Sequence, residues 1–109
     1  MTTNTARSFS DKWTKNPQLA FAETLREGSD IQQWILSRNG FASRAALRDY
    51  LAPCTRVLDA GCGNGRVTTL LRELTPPSCE VVGFDLVAAD VARENLRTAS
   101  NVHIQQGDL

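Results

Sequence analysis

The chain carries no excess of either charge: 12 Lys and Arg residues balance 12 Asp and Glu, for zero formal net charge at pH 7. That argues against a nucleic-acid-binding module, which would show a basic patch. No apolar run approaches the length needed to span a bilayer, and the polar N-terminus lacks the apolar stretch of a secretory signal. The expected compartment is the cytoplasm. Cysteine is scarce: Cys54, Cys62 and Cys79 are odd in number, widely separated and form no C-x-x-C. This favours reduced thiols over a disulfide frame. Those cysteines and the single histidine, His103, have no zinc-ligand spacing, so no metal site is expected. There is no internal repeat and no low-complexity tract, and 109 residues allow one domain at most.

What the chain does have is Val57-Leu58-Asp59-Ala60-Gly61-Cys62-Gly63-Asn64-Gly65. Apolar residues leave a buried strand, an acid sits at its end, and three alternating glycines lead toward a helix. Glycines remove Cβ atoms where the backbone turns sharply and let a ligand lie against it. A helix starting near Asn64 or Gly65 would aim free N–H groups and its positive dipole at a bound anion. The dinucleotide pattern G-x-G-x-x-G fails in both registers, because positions 66 and 68 are Arg66 and Thr68. Asp59 would also repel a pyrophosphate, whereas it suits a cationic amine. The phosphate-loop pattern fails too, since no Gly-Lys-Ser/Thr follows.

Val57 to Gly65 resembles the first motif of class I S-adenosylmethionine-dependent methyltransferases, V-L-D-x-G-C-G-x-G, with no departure. Val81-Val82-Gly83-Phe84-Asp85-Leu86 is similar to the second motif, and Gln106-Gly107-Asp108-Leu109 to the third. The resemblance covers the second half of the chain and implies S-adenosylmethionine as cofactor. It places Gly61, Gly63 and the helix start (Asn64, Gly65) around the methionine moiety, with Asp59 near the ammonium. Cys62 is a small side chain set against the ligand and, with no activating base nearby, is not expected to act as a nucleophile. Asp85 would accept from the ribose diol, and Asp85→Ala is expected to leave the fold intact. Leu86 would pack on the adenine, with Asp108 and the Leu109 backbone N–H reading its edge. The structural alternatives are a turn acid capping the next helix for Asp85 and a simple Gly-Asp turn for Asp108.

The chain divides near Pro53. Residues 1–52 read as a helical segment and 53–109 as the first half of a Rossmann-like domain. Upstream, Pro17 suits a first helical position, followed by Leu19, Ala22, Leu25 and Arg26, with Gly28 as the stop. Asp30 could cap a second helix closed by Asn39-Gly40. Ser43 could cap a third, with Ala46, Leu47, Tyr50 and Leu51 on one face. Downstream, strands at Arg56–Ala60, Glu80–Asp85 and Val102–Gln105 alternate with helices carrying Val67, Leu70, Leu71 and Leu74, then Ala88 to Thr98. Such alternation implies right-handed crossovers and a parallel sheet, hence an α/β class, here a partial three-stranded one. Phe9, Trp13, Phe21, Trp34 and Phe41 gather in the first half. They are expected to pack on the sheet's helices, the alternative being an aromatic lid over the cofactor.

The functional expectation is methyl transfer to a nucleophilic atom of a small-molecule acceptor. The alternatives are a non-catalytic binding module and, more remotely, an NAD-dependent oxidoreductase. The resemblance implies a seven-stranded core, of which three strands are seen. The chain is therefore expected to be part of a longer enzyme, to be inactive alone and to be prone to self-association. No catalytic base can be named.

Overall fold

The computed structural model describes residues 15–108. Phe9, Trp13 and Leu109, singled out above, lie outside the described residues. The elements run α1 (Phe21–Leu25), α2 (Asp30–Arg38), α3 (Arg44–Leu51), β1 (Arg56–Ala60), α4 (Arg66–Leu74), β2 (Glu80–Asp85), α5 (Ala89–Asn95) and β3 (Val102–Gln106).

The three strands form one parallel sheet in the order β1-β2-β3. Two right-handed crossovers stepping the same way set α4 and α5 on one face. In register, Val57, Val81 and Val102 share that face, as do Asp59, Gly83 and Ile104. Val57 joins the main apolar cluster of Leu36, Leu47, Leu51, Leu70 and Leu74, so α2, α3 and α4 close the core over it. Leu58, Val82 and Phe84 occupy the opposite face, where Leu58 is 56 % exposed. At the far end Arg72 closes the α4–β2 connection. Its guanidinium donates to the carbonyls of Cys79 (2.5 Å), Asn101 (3.2 Å) and Pro76 and to Thr75 Oγ1 (2.9 Å).

Helix starts follow side-chain chemistry. Ser43 Oγ accepts from Ala46 N–H at 3.1 Å, the expected cap of α3. For α2 the cap is Ser29, one residue before the expected Asp30, with its Oγ accepting from Gln32 N–H at 3.1 Å. Asp30 instead opens the first turn, where a negative charge complements the helix dipole. The largest difference is at the start. The helix expected from Pro17 begins at Phe21, after a turn in which Ala20 is left-handed (φ 56). The carbonyls of Pro17 and Leu19 are held by Asn64, far along the chain, instead of by a helix of their own.

Trp34, expected to pack inward, does not, and Tyr50, grouped above with Leu47 and Leu51 on one helix face, is also exposed. Trp34 is 58 % exposed, with the Arg38 guanidinium 5.3 Å from its ring centroid. Tyr50 is 67 % exposed and meets Phe41 with ring centroids 5.3 Å apart. Each ring has a local partner at the surface, one a cation and one an aromatic edge. The helix expected through Thr98 ends at Asn95, and β3 runs one residue further than expected, to Gln106.

Candidate functional site

Parallel strands put all their C-terminal ends on one edge, where open α/β sheets bind ligands. Gly61 follows β1, Leu86 follows β2, and Gly107-Asp108 follow β3. Gly107 N–H donates to Asp85 O at 3.1 Å and Gln106 Nε2 to Leu86 O at 3.2 Å, binding the ends of β2 and β3 together. Leu86 and Asp108 are both exposed at this edge, free of the core.

The glycine loop turns through left-handed backbone at Gly61 (φ 75), Gly63 (φ 54) and Gly65 (φ 89), a region costly for any residue with a Cβ. A Cβ placed at Gly61 would meet nothing within 4 Å. The side of Gly61 that a Cβ would occupy is therefore unobstructed. At Gly65 the same atom would come 2.6 Å from Leu96 Cδ1, so that glycine serves the packing of α5 on the loop.

The loop amides are engaged by the protein itself. Gly61 N–H and Cys62 N–H both donate to Phe84 O, at 2.7 and 3.0 Å. Gly63 N–H donates to Asp85 Oδ2 (2.9 Å), Gly65 N–H to Cys62 O (2.9 Å), and Arg66 N–H to Asn64 Oδ1 (3.2 Å). The sequence suggested free N–H groups at the helix start, but at Gly65 and Arg66 they are already paired. A phosphate-gripping loop needs those donors for its ligand. Here those of Gly65 and Arg66 hold the loop's own shape.

Asp85 is the hub of the edge. Its Oδ2 accepts from Gly63 N–H, and its Oδ1 accepts from Val87 N–H (2.9 Å) and Ala88 N–H (2.8 Å). The structural alternative, an acid organising the turn into the next helix, is thus present in the geometry. A carboxylate offers about four lone-pair sites, so acceptor capacity remains for a hydroxyl. Asp59 lies on the helix-covered face, where Thr68 Oγ1 donates to its Oδ2 at 2.6 Å. Burial pushes its carboxyl above the usual range. The Thr68 hydrogen bond and the Arg66 charge oppose that shift, and the Asp85 charge adds to it.

Two side chains expected at the ligand face elsewhere. Cys62 is buried against Gly83, where a Cβ would sit 3.2 Å from its Sγ, so the missing side chain of Gly83 makes the notch that holds it. Burial, with the Asp59 and Asp85 charges, pushes its thiol up to about 12. At neutral pH it stays a protonated thiol. Alkylation of the native chain at pH 8 should mark half-buried Cys54 first and spare Cys62 and Cys79 until denaturant is added, as peptide mass mapping would record. Asn64 is fully buried, and its Nδ2 donates to Pro17 O (3.2 Å) and Leu19 O (3.0 Å). Only the backbone of these two residues is left to face a ligand. His103 lies exposed on β3, away from this edge, and no group of metal-ligating side chains occurs among the described residues.

Sequence reasoning missed Thr68 and Asn95. Thr68 supports Asp59, and Asn95 Nδ2 donates to the loop carbonyl of Asn64 at 3.0 Å. Both read as ordinary helical positions, so no local signal marked them.

A family model described as a methyltransferase domain matches residues 52–109. Among curated proteins the chain is similar to ribosomal protein L11 methyltransferase of Thermosipho africanus, 32% identical over 94 residues. That match covers 85% of this chain and 32% of the relative. The enzyme of the same name from Ruminiclostridium cellulolyticum is 30% identical over 81 residues, covering 74% of this chain and 22% of the relative. The chain thus spans a third or less of these relatives' length. No solved structure gives a significant match. The expectation of a small-molecule acceptor is overturned, because these relatives are named for a protein acceptor. Neutral net charge and N-terminal helices do not discriminate between the two kinds of acceptor. The glycine loop, the acids at the strand ends and the family match agree: the chain belongs to the class I S-adenosylmethionine-dependent methyltransferases.

Proposed function

We propose that the chain is the cofactor-binding part of an enzyme that moves a methyl group from S-adenosylmethionine to a protein. The observation that carries the cofactor is the pairing state of the loop. The amides of Gly61, Cys62, Gly63, Gly65 and Arg66 are paired within the protein, while the Cβ side of Gly61 is open and carboxylates stand beside the loop at Asp59 and Asp85. That combination fits an amino-acid end with a cationic amine and a ribose diol, and it disfavours NAD. In this reading the backbone of Gly61 to Gly65 holds the methionine end and Asp59 sets the field felt by its ammonium. Asp85 accepts from the ribose, and Leu86, Asp108 and Leu109 form the adenine end. The bound cofactor supplies a methyl group already activated by its positive sulfur. What the chain contributes is alignment and exclusion of water.

The names of the relatives support a protein acceptor. Free cysteines and the absence, among the described residues, of a helix able to cross a membrane are consistent with the cytoplasm as the working compartment. In this reading the described part of the segment 1–52, residues 15–52, borders the site, and the segment 53–109 carries the cofactor-binding motifs.

Titration calorimetry should give tighter binding of S-adenosylhomocysteine than of NAD; the reverse order would sink the cofactor assignment. With methyl-labelled S-adenosylmethionine and the complete enzyme, label should appear in acid-insoluble protein. Label confined to the acid-soluble fraction would exclude a protein acceptor.

A further inference from the structure

Asn95 sits at the end of α5, 31 residues from the loop, yet it touches the loop and the N-terminal segment at once. Its Nδ2 donates to Asn64 O at 3.0 Å and to Pro17 O at 2.8 Å, and its Oδ1 accepts from Gln18 Nε2. Asn64, whose carbonyl it holds, sends its own side chain to the same segment, at Pro17 O and Leu19 O. Two asparagine amides, one from the loop and one from α5, thus converge on Pro17 O.

A second tether runs in parallel. Arg66 opens α4, where a positive charge opposes the helix dipole. Its Nη1 donates to Thr24 Oγ1 at 2.8 Å. Thr24 is fully buried in α1, its hydroxyl donates to Ala20 O (2.7 Å), and its carbonyl accepts from Gln32 Nε2 of α2 (2.9 Å). Both tethers join residues 17–24 to the two ends of the stretch Asn64-Gly65-Arg66. The first tether lies outside the apolar core, whose cluster is formed by α2, α3 and α4, whereas the second runs beside Leu25 of α1, which packs against that cluster.

We propose that Asn95 is a positioning residue for the cofactor loop, and that through it and Asn64 the order of residues 16–24 is coupled to cofactor binding. The inference rests on the reading of the loop as the cofactor site given above. The physical reason is linkage. Asn95 fixes the peptide between Asn64 and Gly65, whose orientation sets the left-handed turn into α4. It does so with the same amide that holds the N-terminal segment. A ligand that favours the ordered loop must therefore also favour the ordered segment, and loosening the segment must weaken the ligand.

The test uses the whole 109-residue chain, S-adenosylhomocysteine as the probe, and three variants. Asn95→Ala removes every bond. Asn95→Asp keeps the shape and the acceptor for Gln18 but turns an oxygen toward two carbonyls. Gln18→Ala, at an exposed residue, removes only the bond to Asn95 Oδ1 and leaves the one from Asn95 Nδ2 to Pro17 O. Calorimetry should show affinity reduced about tenfold in Asn95→Ala and at least as far in Asn95→Asp, with a smaller loss in Gln18→Ala. Hydrogen exchange should show residues 16–24 protected by the probe in the unaltered chain and exchanging faster in each variant. Variants that bind as tightly as the unaltered chain would overturn the proposal, as would exchange at 16–24 that the probe does not change. Failure of the unaltered chain to bind the probe would instead overturn the reading of the site itself. If Asn95→Ala does not fold, Asn95→Asp and Gln18→Ala decide.

Discussion

Asp85→Ala should lose cofactor affinity and stability together, although the sequence alone suggested that the fold would not notice. Affinity for S-adenosylhomocysteine is expected to fall by about 1.5–3 kcal/mol, the loss of the one charge-assisted hydrogen bond to a ribose hydroxyl for which Asp85 has acceptor capacity left. Stability should fall by on the order of 2 kcal/mol, because three backbone amides lose their acceptor. Those of Val87 and Ala88 shape the turn into α5, and that of Gly63 closes the glycine loop on β2. Asp85→Asn separates the two roles. Its oxygen can still serve Val87 and Ala88, but its amide would face the Gly63 N–H, donor against donor. The asparagine variant should therefore melt between the alanine variant and the unaltered chain, while binding as poorly as alanine. Thermal denaturation and calorimetry on the same samples check both numbers. Unchanged affinity in a folded Asp85→Ala would reduce Asp85 to the turn acid that its bonds to Val87 and Ala88 already describe.

This double duty shows what the sequence could reveal. The strands were legible because each is a short apolar run between turn residues, and β1 and β2 fall where the pattern puts them. The glycine positions were legible because left-handed backbone at Gly61, Gly63 and Gly65 admits little else. Side-chain direction was not. Cys62 turns inward because Gly83, on a neighbouring strand, leaves a notch for it. Asn64 turns away from the edge to meet carbonyls 45 and 47 residues earlier. Neither fact has a local signature. The helix at Pro17 was misplaced for the same reason, since its carbonyls were claimed by a distant side chain before a helical turn could use them.

The acceptor was illegible for a different reason. Trp34 and Tyr50 are exposed and paired with Arg38 and Phe41, so the aromatic character of the first half is partly surface. Composition cannot separate a lid from a docking face. The length of the relatives points the same way: most of each relative lies outside the region that this chain matches.

The glycines of the loop look equivalent in sequence but should behave oppositely when each is replaced by alanine. At Gly61 a Cβ would meet nothing within 4 Å, so Gly61→Ala carries only the backbone penalty at φ 75, about 1–2 kcal/mol. The methyl group would, however, stand in the open space assigned to the ligand. Gly61→Ala should fold with a modestly lower melting temperature and bind S-adenosylhomocysteine at least a hundredfold more weakly, about 3 kcal/mol. Gly65→Ala meets both costs. Its φ of 89 carries the same backbone penalty, and its methyl would sit 2.6 Å from Leu96 Cδ1 with Ala92 Cβ 3.5 Å away. Buried Leu96 would have to leave its packed position, adding about 1–3 kcal/mol, for a total of roughly 2–5. Gly65→Ala should thus fall by roughly 10 °C or more in melting temperature. Its binding loss should follow from the disturbed loop and recover in part at lower temperature. Equal melting temperatures for the two variants would mean that α5 does not press on the loop at Gly65. Full binding by Gly61→Ala would move the ligand away from the space above Gly61, and with it the methionine end of the proposed site.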